Sequence, residues 1–473
     1  MKIAELENKR ILILGLGREG LATLKFLQQN LRQANLAVAD NRCLSEFSSE
    51  EQVLLNQIEQ KQLGENYLQN LESYEVIVKS PGIYPRKREI QEALAAGVQI
   101  TSATNIFFAN QKGKIIGVTG SKGKSTVSSL IYRILLEANL PAFLIGNIGQ
   151  PALSFLEKDR QENFYVFELS SYQLEDLKYA ADIAVVTSFF PEHLDYHGNL
   201  ESYFEAKMNI AKNLKKEHTL IYNAASKEVS ALAKELACHI LAFNDGQRSK
   251  VTEDTLYCNG EALLSVKEVP LLGKHNLENV LAACAVAKLL GIENETIQSA
   301  TRKFKSLAHR LEFVGTYKEV DFYDDAISTT PESTIAALEA MPKQIGTLIL
   351  GGLDRGYDFS KLAERVLEKE VPNVILFPGS GPRIREALQK INAKLPRIEE
   401  VEDLSTCIKK CFELTPAGTI CLLSTASPSY NMFKNFEDKG DQFQKLVKGG
   451  GERVGGIVTL LSTLGGLYCS LVS

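Results

Sequence analysis

No stretch of this chain approaches the roughly 20 consecutive apolar residues that a membrane-crossing helix needs. Met1 to Arg10 is charged and lacks the apolar core of a signal peptide, so a cytoplasmic location with no stable membrane insertion is expected. There is no block of basic residues either. The 53 Lys and Arg stand against 58 Asp and Glu, a net charge of −5, which makes nucleic acid a poor principal partner. The eight cysteines are scattered, without a C-x-x-C pair. Cys407 and Cys411 could share one side of a helix, but two thiols do not make a zinc site, and reduced thiols in a reducing cytosol are expected. His193 and His197 are four apart, yet no third soft ligand lies near them, and Phe189-Phe190-Pro191 just before them reads as a loop. What remains is a chain of 473 residues with ordinary globular composition, too long for one core and sized for two to four domains.

Glycine gathers where chemistry can use it. The segment Gly117-Val118-Thr119-Gly120-Ser121-Lys122-Gly123-Lys124-Ser125-Thr126 follows the apolar pair Ile115-Ile116 and precedes an apolar-periodic run from Val127 to Leu136. A strand, a glycine-rich turn and a helix start, in that order, make a phosphate-binding loop. The glycines let backbone N–H groups turn inward, Lys124 can reach the β/γ-phosphates, and the hydroxyl of Ser125 or Thr126 can ligate Mg²⁺. The helix end adds a partial positive charge. Gly117 lies six positions before Gly123, one more than in the common G-x-x-x-x-G-K-[ST] spacing, which leaves the shorter form beginning at Thr119.

Three α/β units follow from the pattern. In residues 1–108, the strand Ile11–Leu14 leads into Gly15-Leu16-Gly17-Arg18-Glu19-Gly20 and a helix; a second strand ends at Asp40, and Val76–Val78 precedes the turn Ser80-Pro81-Gly82. A G-x-G-x-x-G followed by an acid usually suggests a dinucleotide site. Alone, this spacing places only a phosphorylated ligand over a helix N-terminus, with Asp40 near a ribose or base. In residues 109–305, Glu168 ends an apolar strand where a carboxylate can meet Mg²⁺ beside the loop, Lys207 sits on a helix, and His275-Asn276 precedes an alanine-rich helix. In residues 306–447, apolar runs at Val320–Tyr323, Thr347–Leu350, Val374–Phe377 and Ile420–Leu423 alternate with helical patterns, which argues for another mostly parallel sheet. The glycine-rich, uncharged tail 448–473 does not fit the third core.

Together, Thr119–Thr126, Glu168–Leu174, His193-Leu194-Asp195, Lys207, His275-Asn276 and His309-Arg310-Leu311-Glu312 resemble the Mur ligases of peptidoglycan synthesis. The third unit is similar to the glutamate-adding members, through Leu422-Leu423-Ser424, Ser429, Phe433–Glu437 and Gly351-Gly352 followed by Asp358-Phe359. The resemblance covers about residues 8 to 447. It implies an α/β protein of three domains, each on a mostly parallel sheet: a Rossmann-like UDP-binding domain, a central P-loop ATPase and a C-terminal Rossmann-like domain for the incoming amino acid. The expected substrates are ATP, UDP-N-acetylmuramoyl-L-alanine and glutamate, with two Mg²⁺ ions, and a monomer is expected.

The resemblance also implies roles. Gly15, Leu16, Gly17, Asp40, Asn41, Arg42, Ser80, Pro81 and Gly82 would hold the UDP part, in place of a nicotinamide cofactor, and Asn147 the muramoyl part. Gly120, Ser121, Lys122, Gly123, Lys124, Ser125 and Thr126 would hold ATP, with Asn276 on the adenine side and Arg310 at the γ-phosphate. Ser125, Glu168, His193 and a carbamylated Lys207 would bind metal. An ammonium beside Mg²⁺ is repelled, whereas a carbamate turns +1 into −1. Thr329, Arg355, Ser429 and Phe436 would receive glutamate; Thr329 with Glu332 fits a capping box, with Pro331 in the first turn. Read from the residues alone, a solvated helix lysine is the plainer reading of Lys207, while a helix N-cap at Asn276 and a packing role for His309 stand level with the roles above. Two positions depart from the pattern: Ile327 and Arg355 stand where the family often has lysine. Arginine keeps the charge and isoleucine loses it, so D-glutamate is favoured with L-glutamate as the alternative. A folylpolyglutamate-type ligase lacks the first unit, a switch ATPase needs a guanine-reading N-K-x-D that is not evident, and a dehydrogenase needs a hydride site.

Overall fold

The computed structural model describes residues 1–391 and 394–450; the tail singled out above lies outside the described residues from 451 onward. The chain forms two compact units, one of residues 1–271 with 275–305, the other of residues 272–274 with the chain from Ser306.

The first unit carries two parallel sheets. In the first, β1 (Arg10–Leu14), β2 (Asn35–Asp40), β3 (Gln60–Leu63), β4 (Val76–Lys79) and β5 (Gln99–Thr101) lie in the order β3-β2-β1-β4-β5. The second contains β6 (Lys114–Thr119), β7 (Ala142–Gly146), β8 (Phe164–Glu168), β9 (Ile183–Val186), β10 (Thr219–Asn223) and β11 (His239–Phe243), in the order β11-β10-β9-β6-β8-β7. In the first sheet the chain leaves the neighbours β1 and β4 in opposite directions, and in the second it does so from the neighbours β6 and β9, so each sheet has a crevice at its carboxyl end where ligands settle in such folds. Phe107 packs edge-on against Tyr165 and Phe167, and one continuous apolar core runs under both sheets. A small antiparallel sheet of β12 (Lys250–Val251), β13 (Thr255–Cys258) and β14 (Glu261–Ser265) follows. Its strands, like β3, β5, β7, β10 and β11, were not foreseen; several are short or carry charged residues that blur the apolar signal.

The second unit is a six-stranded sheet of β15 (Glu312–Tyr317), β16 (Val320–Asp324), β17 (Ile345–Gly352), β18 (Asn373–Gly379), β19 (Arg397–Glu400) and β20 (Ile420–Leu423), in the order β15-β16-β20-β17-β18-β19. It is parallel except for the β15–β16 hairpin. Cys407 and Cys411 do share the inner face of the helix Leu404–Leu414, fully buried in this core. Among the described residues no helix is long and apolar enough to cross a membrane.

Candidate active site

The phosphate loop sits where β6 hands over to the helix Lys124–Glu137. Two glycines make it possible. Gly120 has φ +148°, and a Cβ there would meet Thr187 Oγ1; Gly123 has φ +85°, and a Cβ there would strike Asn279 Oδ1. The backbone can therefore approach a phosphate closely. Lys124 Nζ donates to the carbonyls of Gly120 (2.8 Å) and Ser121 (3.0 Å). Ser121 is buried on Tyr203, its Oγ 2.9 Å from the phenol oxygen, so it props the loop. Lys122 is exposed and paired with Glu192. Ser125 and Thr126, both buried, open the helix.

Lys207 is 1 % exposed and donates to the Gly120 carbonyl at 2.9 Å. It is not a solvated lysine: the helix Leu200–Lys212 turns it inward. Burial, then the nearby Lys124 charge, push its ammonium well below the ordinary lysine range. Glu168, at the end of β8, is 1 % exposed; its Oε1 accepts from Asn147 Nδ2 at 2.8 Å, and its Oε2 is buried without a hydrogen-bond partner. An orphaned carboxylate oxygen beside a phosphate loop fits a divalent cation. His193 is exposed with φ +53° at the start of the short helix Leu194–His197, its ring 5.2 Å from that of Tyr172. His197 lies buried on the same helix with Nε2 3.0 Å from Ser171 Oγ, a structural placement. Asn276 is not an N-cap. It lies inside the helix Lys274–Leu289 and accepts from Asn279, the residue that abuts Gly123; the helix starts earlier than its apolar pattern because its first turn is polar.

At the β1/β4 crevice, Gly15 has φ +89° and its carbonyl accepts from Ser80 Oγ at 2.6 Å. Asp40 is buried; it accepts from Leu16 N (2.5 Å) and Arg42 Nε (3.0 Å). Burial alone would raise its carboxyl, but the Arg42 and Leu16 donors hold it below the usual range. Asn41 is exposed beside it. A cavity of about 270 Å³ opens between this crevice and the second sheet, lined by Arg18, Pro81, Gly82, Asn147 and Tyr172 among others. Asn147 thus faces the cavity and also bonds Glu168, so one side chain touches both the cavity and the carboxylate beside the phosphate loop.

In the second unit, the loops after β16, β17 and β20 carry Thr329, Arg355 and Ser429 at the carboxyl ends of adjacent strands. Leu353 N donates to Pro428 O at 2.7 Å, which ties the second loop to the third. Arg355 is exposed and Ser429 buried. The expected capping box is shifted by one: Thr330, not Thr329, caps the helix Pro331–Ala340, with Ser333 as partner. Proline suits the first helical position, which makes its predecessor the cap. Phe436 starts the helix Phe436–Gly450. Arg310 is flanked by two left-handed residues, His309 (φ 60°) and Leu311 (φ 46°). His309 Nδ1 lies 2.7 Å from Asp324 Oδ2, and this bond raises the imidazole above its ordinary range. His309 is thus a buried residue held in place by the Asp324 carboxylate.

Sequence reasoning missed Asp324, Asp325 and Lys439. Asp325 is fully buried, its carboxyl pushed up to about 6 by burial, and it accepts from Ser424 Oγ. Burial likewise brings Lys439 down to about 8, and its Nζ donates to Thr425 Oγ1 at 2.6 Å. The tandem acids closing an apolar strand were the available signal. Gly440 packs so closely that a Cβ would strike His309 Nδ1. Gly440→Ala is therefore expected to cost roughly 1–3 kcal/mol, read as a lowered Tm in thermal unfolding; an unchanged Tm would show that the His309 contact is slack.

Three family models match in order: the Mur ligase MurD-like N-terminal domain over residues 9–102, the Mur ligase middle domain over 118–287 and the Mur ligase glutamate ligase domain over 309–426. The UDP-N-acetylmuramoylalanine–D-glutamate ligase of Geobacillus sp. (strain WCH70) is 34% identical over 444 residues, 92% of this chain and 97% of that one. The enzyme of the same name from Streptococcus gordonii is 34% identical over 445 residues, 93% of this chain and 97% of that one. Among solved structures, the UDP-N-acetylmuramate-alanine ligase of Thermotoga maritima aligns with a TM-score of 0.60 at 17% identity over 93% of this chain and 99% of that one. The MurF ligase of the same organism, solved with ADP, gives 0.58 at 17% over 94% and 97%; both likenesses speak to the fold. With three consecutive domain matches and full-length relatives above 30% identity, this chain belongs to the Mur ligase family.

Proposed function

We propose that this chain is an ATP-dependent ligase that joins glutamate, D-glutamate by preference, to the alanine carboxylate of UDP-N-acetylmuramoyl-L-alanine in cytoplasmic peptidoglycan precursor synthesis. The observation that carries this reading is the shared wall: Asn147 lines the cavity beside the UDP-type crevice and bonds the carboxylate that stands by the phosphate loop. A carboxylate at the inner end of that cavity meets the γ-phosphate end of ATP, as acyl phosphate formation requires. An amine then attacks the acyl phosphate through a tetrahedral intermediate and phosphate leaves. Both steps build negative charge, which cations and donors must offset.

Roles are assigned accordingly. Residues 1–108 hold the UDP part, 109–305 the ATP and 306–447 the amino acid. Gly120 to Thr126 cradle phosphates, Asn276 lies on the adenine side, and Arg310 serves the γ-phosphate. Glu168, Ser125, His193 and a carbamylated Lys207 would hold two Mg²⁺ ions, which supply charge neutralisation. The buried Lys207 favours the neutral amine, and that is the form whose lone pair attacks CO₂, forming the N–C bond and releasing one proton. Thr329, Arg355, Ser429 and Phe436 receive the glutamate. The names of the relatives favour the D-isomer, and Arg355 keeps a fork for a carboxylate.

Phosphate release is expected only when ATP, Mg²⁺, UDP-N-acetylmuramoyl-L-alanine and glutamate are all present, and D-glutamate should outpace L-glutamate in parallel reactions. Turnover without the acceptor would remove the ligase assignment; faster turnover with the L-isomer would reverse the stereochemical one.

A further inference from the structure

The cavity of the first unit holds a charge arrangement that amide synthesis leaves unused. Arg18 and Glu19 open the helix Arg18–Asn30, whose N-terminus faces the cavity. First-turn N–H groups and the helix end favour an anion there. Arg18, however, is committed to the opposite wall: Nη2 donates to Gly146 O (2.9 Å) and Asn147 O (3.1 Å), and Nη1 to Gly149 O (3.2 Å). Glu19 lines the same cavity and accepts from Gln173 Nε2 at 3.2 Å. The charged groups around it are Arg18 on its own helix, Lys79 at the end of β4 and Asp176 beyond the helix Ser171–Leu174. Lys79 is itself buried, its Nζ turned to the Ile83 carbonyl at 3.2 Å. Burial raises the Glu19 carboxyl most and Asp176 adds to it, while Gln173, Lys79 and Arg18 pull it down, leaving it at about 7. An ionised Glu19 and a diphosphate in one cavity would be like charges at short range in a partly dry site.

On the acceptor assignment above, we propose that Glu19 is the proton-taking group of this cavity: a nucleoside-diphosphate sugar binds the form in which the Glu19 carboxyl is neutral, so binding draws a proton from solution. The sign follows. Below about pH 7 the carboxyl is already neutral and affinity is flat. Above it each bound acceptor must bring a proton, and affinity falls by up to about tenfold per pH unit.

The test is titration calorimetry of the full chain with UDP-N-acetylmuramoyl-L-alanine between about pH 6 and pH 8, in two buffers of unlike ionisation enthalpy. Its diphosphate is a diester and lacks the phosphate ionisation near pH 6, so protons taken up belong to the protein. Heats that differ between buffers in the sense of proton uptake, with affinity falling as pH rises, are expected for the wild type. Glu19→Gln should flatten the profile and remove the buffer dependence. Gln173→Met deletes a donor to the ionised form and should move the fall to higher pH, which serves if Glu19→Gln does not fold. Buffer-independent heats in the wild type, or an unmoved profile in a folded variant, overturn the proposal. Absence of binding at every pH overturns the acceptor assignment and this proposal with it.

Discussion

Lys207→Ala is expected to lower phosphate release by about three orders of magnitude, with part of the rate restored by acetate or another short carboxylic acid. The lysine is nearly inaccessible, donates to the Gly120 carbonyl and shares that oxygen with Lys124. Burial is the larger cost of charge on Lys207, and the Lys124 ammonium beside the same loop adds repulsion. A carbamate there would turn the repulsion from Lys124 into attraction and would offer oxygens to a cation. Alanine leaves a space into which a small carboxylate can diffuse and supply the missing oxygens. The measurement is steady-state phosphate release with and without added acid, alongside circular dichroism to show that the fold survives. A variant within about threefold of wild type would end the carbamate role. Loss of activity with no rescue by any short acid would leave Lys207 a structural prop for the loop.

Glu168→Gln should lower turnover by about 10²- to 10³-fold and raise the Mg²⁺ concentration at half-maximal rate. The substitution is chosen because it removes charge and little else. The amide oxygen can still accept from Asn147, which now holds Oε1. The orphaned position becomes an NH₂ group, which cannot ligate a cation. Thermal stability should therefore stay near wild type while the Mg²⁺ titration shifts. An unaltered Mg²⁺ requirement would mean that the cation is held elsewhere.

Much of the site was legible because its parts are local in sequence. The phosphate loop needs a strand, two permissive glycines and a helix start within one stretch, and β6 and the helix Lys124–Glu137 supply them as expected. The turn at Gly15 and the acid at Asp40 were likewise readable as a crevice motif, and the structure joins them through the Leu16 N–H. What stayed hidden depends on contacts far apart in the chain. Lys207 looks solvated until the helix Leu200–Lys212 is docked and its ammonium meets a carbonyl 87 residues away. Glu19 is only a member of the glycine motif in the sequence; its place in the cavity beside Gln173 emerges from the fold, where burial pushes its carboxyl up to about 7. His309 needs Asp324, and the pair needs a glycine at position 440, from three separate elements. The capping box slipped by one residue because two adjacent threonines both satisfy the pattern, and only the proline that follows separates them.

The double contact of Asn147 also bears on inhibitor chemistry. A molecule that fills the cavity beside Pro81 and Gly82 ends one amide away from a carboxylate with an unused lone pair. A chelating head on a short rigid arm would engage both compartments at once, and its gain over either fragment would come from proximity, with no long linker to immobilise.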